Sequence, residues 1–183
     1  MKRAVFALIL PSLITPHALS QTPQSMPSPL KGWTVSAGQW QKVKGGAGCS
    51  GDNCGLAWEG DVKDTMEIQF CLIVKKWSDE AGRNVGITWD AGDTQKSRNV
   101  AVLTPADIRV FNNLSPDEMT RARYVIALNR RIPVKARITK KGIQMMVGRE
   151  KVEASIPSQK LGHLRLWITR AEVTFTKVKV KSK

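Results

Sequence analysis

The sequence has few histidines, no paired-cysteine motif and no glycine-rich phosphate-binding loop. Only two histidines and three cysteines occur in 183 residues, and no C-x-x-C spacing is found, which argues against a zinc site or a thioredoxin-like centre. Without a P-loop, nucleotide-dependent chemistry is not expected. No apolar run reaches the roughly 18 residues of a membrane-spanning helix, so we expect no such segment.

The N-terminal residues have the pattern of an export signal. Lys2 and Arg3 precede an apolar stretch that Pro11 and Pro16 interrupt, and Ala18-Leu19-Ser20 resembles a cleavage site. We therefore predict a signal peptide over residues 1–20, a Pro/Ser-rich linker over 21–30 and one domain over 31–183. The protein is expected to be exported, to the periplasm or the extracellular medium.

The cysteines fit an oxidising compartment. Cys49 and Cys54 flank a turn-rich segment, so we expect a disulfide between them to close this small loop. Cys71 lies within an apolar strand pattern and is expected to be a small buried hydrophobe. The sequence leaves open the alternative that Cys71 pairs with one of the loop cysteines.

Positive charge is concentrated in the last third of the chain. Residues 21–118 contain 10 basic and 12 acidic residues, whereas residues 119–183 contain 17 basic and 3 acidic ones. A run without any acidic residue contains eight cations: Arg121, Arg123, Arg130, Arg131, Lys135, Arg137, Lys140 and Lys141. Together they could form one stripe that attracts a polyanion, or simply a solvated face.

From Lys31 onward, turn residues punctuate short Val, Ile, Thr and Trp-rich runs with alternating polarity, which is an all-β signature. In Met66–Val74, the even-numbered positions from Ile68 onward share one apolar face. A change of parity near Thr176 and Lys177 predicts a β-bulge in the last strand. Ser115-Pro116-Asp117-Glu118 has the pattern of a capping box, which predicts one short connecting helix, and Tyr124–Leu128 is predicted as a strand.

The predicted fold is therefore a two-sheet antiparallel jelly-roll sandwich. Five strand segments have a family likeness: 64–70, Asn84-Val85-Gly86-Ile87-Thr88-Trp89, 134–147 with Gly142, 161–166 and 173–178. They resemble strands of the concanavalin A-like lectin/glucanase superfamily, most closely its bacterial laminin-G-like domains grouped with 3-keto-disaccharide hydrolases.

The resemblance implies a sugar site on the sheet that contains Asn84 and Trp89. Asp90 follows Trp89 where the family commonly has an arginine, so the polar centre of the site is altered. An enzyme of this kind would use Asp64 and Glu67. The paired-carboxylate pattern of the laminarinase-type members is only approached by Glu59-Gly60-Asp61-Val62-Lys63-Asp64, and a glycosidase pair there is not favoured.

Two further candidates come from the residues themselves. Trp77 lies among charged residues in a predicted hairpin loop and is a candidate for an exposed sugar-stacking indole. Asp52 and Asp61 could supply oxygen ligands for calcium, although Asx turns and solvated carboxylates are the preferred explanation and no cofactor is required.

We expect a lectin-like module that binds a glycan or another polyanion through Trp77, Asn84, Trp89 and the basic stripe. Nucleic acid is not the expected physiological partner. The alternatives are a hydrolase or lyase acting on a 3-keto disaccharide, and a structural envelope protein without a small ligand. The sequence does not indicate the oligomeric state.

Overall fold

The computed structural model describes residues 28–60, 64–89, 99–112, 115–156 and 161–182. The predicted signal peptide and most of the predicted linker lie outside these ranges. The described strands are β1 (Trp33–Ala37), β2 (Trp40–Val43), β3 (Gly46–Gly51), β4 (Cys54–Trp58), β5 (Thr65–Trp77), β6 (Asn84–Trp89), β7 (Asn99–Leu103), β8 (Asp107–Asn112), β9 (Ser115–Arg123), β10 (Ile132–Thr139), β11 (Gly142–Val147), β12 (Glu150–Ala154), β13 (Arg165–Thr169) and β14 (Ala171–Ser182).

The strands form two antiparallel sheets of seven strands each, which confirms the predicted all-β sandwich. Sheet A has the order β1-β4-β13-β6-β7-β8-β9, and sheet B has the order β12-β11-β10-β5-β14-β3-β2. Each sheet buries one face in a common core and turns the other outward. Among the described residues, no helical segment suited to spanning a membrane is found.

Strand alternation explains how the core is filled. In β5, Met66, Ile68, Phe70, Leu72 and Val74 are all buried, as predicted for one face of that strand. Phe70 packs edge-on against Phe175 of the neighbouring β14, with ring centroids 5.3 Å apart. Burying side chains of this size contributes roughly 1.5–3 kcal/mol each, so β5 and β14 hold sheet B onto the core.

The predicted bulge in the last strand is confirmed. The register of β14 against β5 shifts between Thr176 and Lys179, and Lys177 has a φ of 55°. The extra residue lets Val173 and Phe175 face the core before the bulge. After it, Val178 and Val180 pack against the same core.

The predicted connecting helix is wrong. Residues 115–123 form β9, which pairs with β8 through registers such as Ala122 opposite Ile108 and Thr120 opposite Val110. A capping box is a local signal, and about one turn of helix is too short to be stable by itself. Pairing along the whole of β8 supplies a ladder of backbone hydrogen bonds instead.

The predicted strand Tyr124–Leu128 is also wrong. This segment is irregular and leads the chain from sheet A to sheet B. Its backbone is held by hydrogen bonds from the Tyr124 amide to the Ala106 carbonyl and from the Ile126 amide to the Pro105 carbonyl, both 3.1 Å long. Ile126 reaches the core while Val125 is 68% exposed, so burial alternates along the segment although it pairs with no strand among the described residues.

Candidate functional site

The outward face of sheet A contains a hollow of about 680 Å³, which lies within the size range of small-ligand sites. Its lining extends from Arg165 of β13 through Thr88 of β6 and Val100 of β7 to Phe111 of β8, which are successive partners in the ladder. Four strands at about 4.8 Å spacing make this span about 14 Å. The hollow is therefore long enough for more than one sugar ring.

Trp167 lies at the β13 side of this hollow. Its neighbours Leu166 and Ile168 are fully buried, so alternation turns Trp167 toward the outward face, where it is half-buried. Its partner across the ladder on one side is Gly86, and on the other side it is Gly55. Because both partners are glycines, there is room beside the strand for a large indole.

The contact between Trp167 and Gly86 is close. A Cβ built on Gly86 would lie 2.1 Å from Cε2 and 2.5 Å from Nε1 of Trp167, a separation that real atoms do not reach. Only glycine at position 86 therefore permits this placement of the ring. An indole fixed at the edge of a hollow in this way is a candidate stacking surface for a sugar ring.

Unpartnered polar atoms surround the indole. Nε of Arg165 and Nε1 of Trp167 are buried and have no hydrogen-bond partner among the described residues. The same holds for Oδ1 of Asn84, which lies opposite Thr169 in the ladder, while Nδ2 of Asn84 donates to the Gly82 carbonyl at 3.0 Å. Buried polar groups are normally hydrogen-bonded, so two donors and one acceptor without a partner mark this part of sheet A as unusually polar.

A disulfide positions one end of the hollow. Cys49 of β3 and Cys54 of β4 are bonded as predicted, and because β3 belongs to sheet B and β4 to sheet A, the bond links the two sheets. The turn between these strands carries Asp52 and Asn53, which line the hollow. The alternative pairing through Cys71 is wrong, since Cys71 is a free thiol. Its predicted burial is also wrong, because the even positions of β5 face the core and Cys71 is only half-buried.

An ion cluster lies on the β8–β9 side of the same face. Asp107 is 1% exposed and accepts from Arg109 at 2.9 and 3.0 Å, and Arg121 approaches it to 2.5 Å. Burial raises the pKa of the Asp107 carboxyl, but hydrogen bonds from Arg109, Thr104 and Arg121 outweigh burial and hold that pKa below its ordinary value. The charged carboxylate therefore fastens β9 to β8.

The residues predicted to contact sugar are not brought together. Trp77 is the last residue of β5, half-buried against the core rather than in a loop. Trp89 is 0% exposed, so its predicted role as a sugar-contacting side chain does not fit this structure. Asn84 lies near the hollow, opposite Thr169. Asp90 lies outside the described residues.

The predicted acidic residues lie elsewhere. Asp64 is exposed next to sheet B and its Oδ1 is 2.6 Å from Nζ of Lys140, and Glu67 of β5 is 3.7 Å from Nζ of Lys135. Both lie on the side of sheet B, opposite the hollow.

The predicted calcium ligands are not clustered. Asp52 lines the hollow and Asp61 lies outside the described residues, and the described part of the chain contains no cluster of three metal-ligating side chains. A calcium site stays an untested prediction.

The predicted basic stripe is divided between the sheets. Arg121 and Arg123 belong to β9 of sheet A, whereas Lys135 and Arg137 belong to β10 of sheet B. The remaining four cations are exposed in the segments on either side of β10: Arg130, Arg131, Lys140 and Lys141. One continuous stripe of eight is therefore not formed, because the chain changes sheets between residues 123 and 132.

Sequence reasoning missed Trp167, Arg165 and Phe111 as site residues. The signal for Trp167 was available, because Leu166 and Ile168 form the apolar face of a short strand and leave Trp167 on the opposite face. Phe111 could not be found in this way, since its role depends on the register of β8 against β7, where it lies opposite Val100.

No family model matches the sequence, and none of the curated proteins matches it. Solved structures do match. The carbohydrate-binding module CBM66 from Bacillus subtilis is 19% identical, with a TM-score of 0.62 over 82% of this chain and 96% of that one. The metal-free carbohydrate recognition domain of Emp46p is 12% identical, with a TM-score of 0.61 over 81% of this chain and 87% of that one.

A transglycosylase, Crh5 in complex with NAG, is 12% identical, with a TM-score of 0.61 over 81% of this chain and 76% of that one. At such identities the likeness shows the fold alone. The finer likeness to laminin-G-like domains stays a prediction. The chain has the concanavalin A-like sandwich fold that carbohydrate-binding modules share with carbohydrate-active enzymes.

Proposed function

We propose that this protein is an exported glycan-binding module and that its sugar site is the hollow on the outward face of sheet A. The observation that carries the proposal is the indole of Trp167, laid on Gly86 beside the unpartnered Nε of Arg165. An aromatic ring in a hollow that polar side chains such as Arg165, Asn53 and Thr88 also line is the combination that recognises a sugar ring.

The charge content of the hollow favours binding over hydrolysis. Asp52 is the one carboxylate among the described residues that line it. Glycoside hydrolysis uses a pair of carboxyl groups on either side of the scissile bond, and the candidates Asp64 and Glu67 belong to the other face of the molecule. Fold neighbours described as a carbohydrate-binding module, a carbohydrate recognition domain and a transglycosylase support a carbohydrate ligand without separating binding from catalysis.

Export is supported by the disulfide. Bonds of this kind persist in oxidising compartments and are rare in the cytosol, and the Cys49–Cys54 bond fits the predicted signal peptide over residues 1–20. We infer a periplasmic or extracellular location, where polysaccharides are the abundant ligands.

A glycan array tests the proposal, with Trp167→Ala compared against Trp77→Ala as a matched loss of a half-buried indole. Wild-type protein and Trp77→Ala should bind one glycan class, and Trp167→Ala should bind it at least about 30-fold more weakly, as for other aromatic hot spots. Absence of binding to every glycan, or equal binding by Trp167→Ala, would contradict the proposal. Release of product from 3-keto disaccharides would favour the hydrolase or lyase instead.

A further inference from the structure

The outward face of sheet B contains a second hollow, of about 690 Å³, on the side of the molecule opposite Trp167. Its apolar lining includes Cys71, Pro133 and Met146, and Met146 is 43% exposed. Its cationic lining is a set of three amines: Lys135, Lys177 and Lys179. Neither the sugar site nor the core requires this arrangement.

The three lysines come together from separated parts of the chain. Lys135 and Lys179 are both opposite Gln69 of β5, one from β10 and the other from β14. The bulge at Lys177 adds a third amine next to Lys179 on the same side of the sheet. Three cationic side chains around one hollow give it a positive local potential.

Two rows of side chains cross this face, because partners in the ladder lie side by side. One row is Lys151, Met146, Lys135, Gln69 and Lys179, and the next is Glu153, Gln144, Arg137, Glu67 and Lys181. With strands about 4.8 Å apart, the cations of the first row recur about every 10 Å over a length of about 19 Å. Such a row fits an extended polymer with regularly spaced charges rather than one small anion.

Positive charge dominates these rows. Glu67 and Glu153 are the acidic members, and they lie 3.7 Å from Lys135 and 2.6 Å from Lys151 respectively. Among the described residues, no acidic side chain is paired with four further cations of this face: Arg137, Lys177, Lys179 and Lys181. The net field of the face therefore attracts a polyanion.

The composition of the rows distinguishes between polyanions. Gln69 and Gln144 stand beside the cations and can bond to hydroxyl groups. Membrane surfaces are bound through several protruding apolar side chains, and Met146 is the one large apolar residue of the two rows. Single-stranded nucleic acid is bound through aromatic stacking, and the rows contain no aromatic residue.

We propose that the outward face of sheet B is a second binding surface, for an anionic polysaccharide that lies across the strands over the hollow at Cys71. This surface goes beyond the sugar site on sheet A, and the two sites face opposite ways. The protein would then hold a polyanionic matrix on one side and its sugar ligand on the other.

Dextran sulfate and uncharged dextran test the surface, because they share one backbone and differ in charge. By titration calorimetry in a salt series, we expect dextran sulfate to bind and dextran not to bind.

The double variant Lys135→Gln/Lys179→Gln should weaken dextran sulfate binding at least about tenfold. The control Arg130→Gln/Arg131→Gln removes the same charge from exposed positions off the sheet and should change affinity less than about twofold. Equal losses in the two variants would overturn the proposal.

A second pair of variants adds one charge instead of removing it. Met146→Glu places a carboxylate in the hollow and should weaken dextran sulfate binding, whereas Val125→Glu, at a position 68% exposed, should not. Binding of phosphatidylglycerol vesicles that depends on Lys135 and Lys179, without dextran sulfate binding, would assign the face to a membrane. Trp167→Ala should leave dextran sulfate affinity unchanged. A failure of the sugar-site proposal can therefore be distinguished from a failure of the polyanion-surface proposal.

Discussion

At the scale of single residues, the site depends on one glycine. Gly86 leaves the space in which the Trp167 indole lies, and a Cβ at that position would fall 2.1 Å from Cε2 of the ring. The backbone of β6 cannot shift easily at Gly86, because β6 is hydrogen-bonded to β13 on one side and to β7 on the other. The ring would have to lift from the sheet, and the stacking surface would move with it.

We therefore predict that Gly86→Ala lowers glycan affinity about tenfold or more, the effect expected when a binding group is displaced by an ångström. The matched control is Gly48→Ala in β3, where a Cβ would meet its nearest neighbour at an ordinary 3.4 Å. Affinity by titration calorimetry should be unchanged for Gly48→Ala. Thermal denaturation of both variants checks that folding is retained, and equal glycan affinities would contradict the role assigned to Gly86.

Asp107 gives a prediction about pH. Its pKa is lower in the folded protein than in the unfolded chain, so its stabilising contribution is present above the ordinary aspartate pKa of about 4 and is lost as the pH falls through the folded pKa. Asp107→Asn should lower the free energy of unfolding near pH 7 by about 2 kcal/mol, the scale of hydrogen bonds to charged groups.

Chemical denaturation at pH 7 and at pH 3 measures this effect, and the difference between wild type and Asp107→Asn should shrink at the lower pH. Glu153 is the control, since Lys151 and Gln144 also lower its pKa but its side chain is 56% exposed. Glu153→Gln should change stability much less than Asp107→Asn. A difference that is the same at both pH values would show that the charge of Asp107 is not what stabilises β9.

At the scale of elements, the predicted strands have a side-chain pattern of their own, whereas the strands that were not predicted depend on pairing with their neighbours. β5, β10 and β11 show apolar alternation along their own length, so their side chains determine both the element and its buried face. β3 is the sequence Gly-Ala-Gly-Cys-Ser-Gly and has almost no side-chain signal. Pairing with β14 and β2 makes it a strand, and that information is not local.

The bulge in β14 is an element whose sequence requirement can be measured. Lys177 has a φ of 55°, a region in which β-branched residues are strongly disfavoured. Lys177→Val should lower the free energy of unfolding by about 1–2 kcal/mol, while Lys177→Asn should be nearly neutral. Lys179→Val, at an exposed strand position two residues on, is the control and should be tolerated. Equal urea midpoints for Lys177→Val and Lys179→Val would exclude the bulge.

At the scale of the whole molecule, the Cys49–Cys54 bond joins sheet A to sheet B beside the proposed sugar site. Closing so short a loop stabilises the fold by about 2 kcal/mol in the chain-entropy account. The double variant Cys49→Ser/Cys54→Ser should therefore lower Tm by about 4–8 °C for a domain of this size. Adding a reductant should lower the Tm of wild type and of Cys71→Ser by the same amount and leave the double variant unchanged. A reductant-insensitive wild type would contradict the bond.

The fold class could be predicted from the sequence because alternation, turn residues and the bulge parity are all local. The site could not, because it is made by register: Trp167 meets Gly86, and Phe111 meets Val100, only when four strands are aligned. The arrangement of the cations on the surface could not be predicted for the same reason. The cations after Met119 read as one stripe along the chain, but the crossing between sheets sends Arg121 and Lys135 to different faces.

The most direct test of the sugar site follows the six indole N–H groups by NMR during titration with the strongest ligand from the array. The Trp167 resonance is assigned from its disappearance in Trp167→Phe. Because the Trp167 side chain lines the hollow, this resonance should shift most, while that of Trp89, which is 0% exposed, should move little. An unchanged Trp167 resonance at saturation, with shifts at other indoles, would contradict the account.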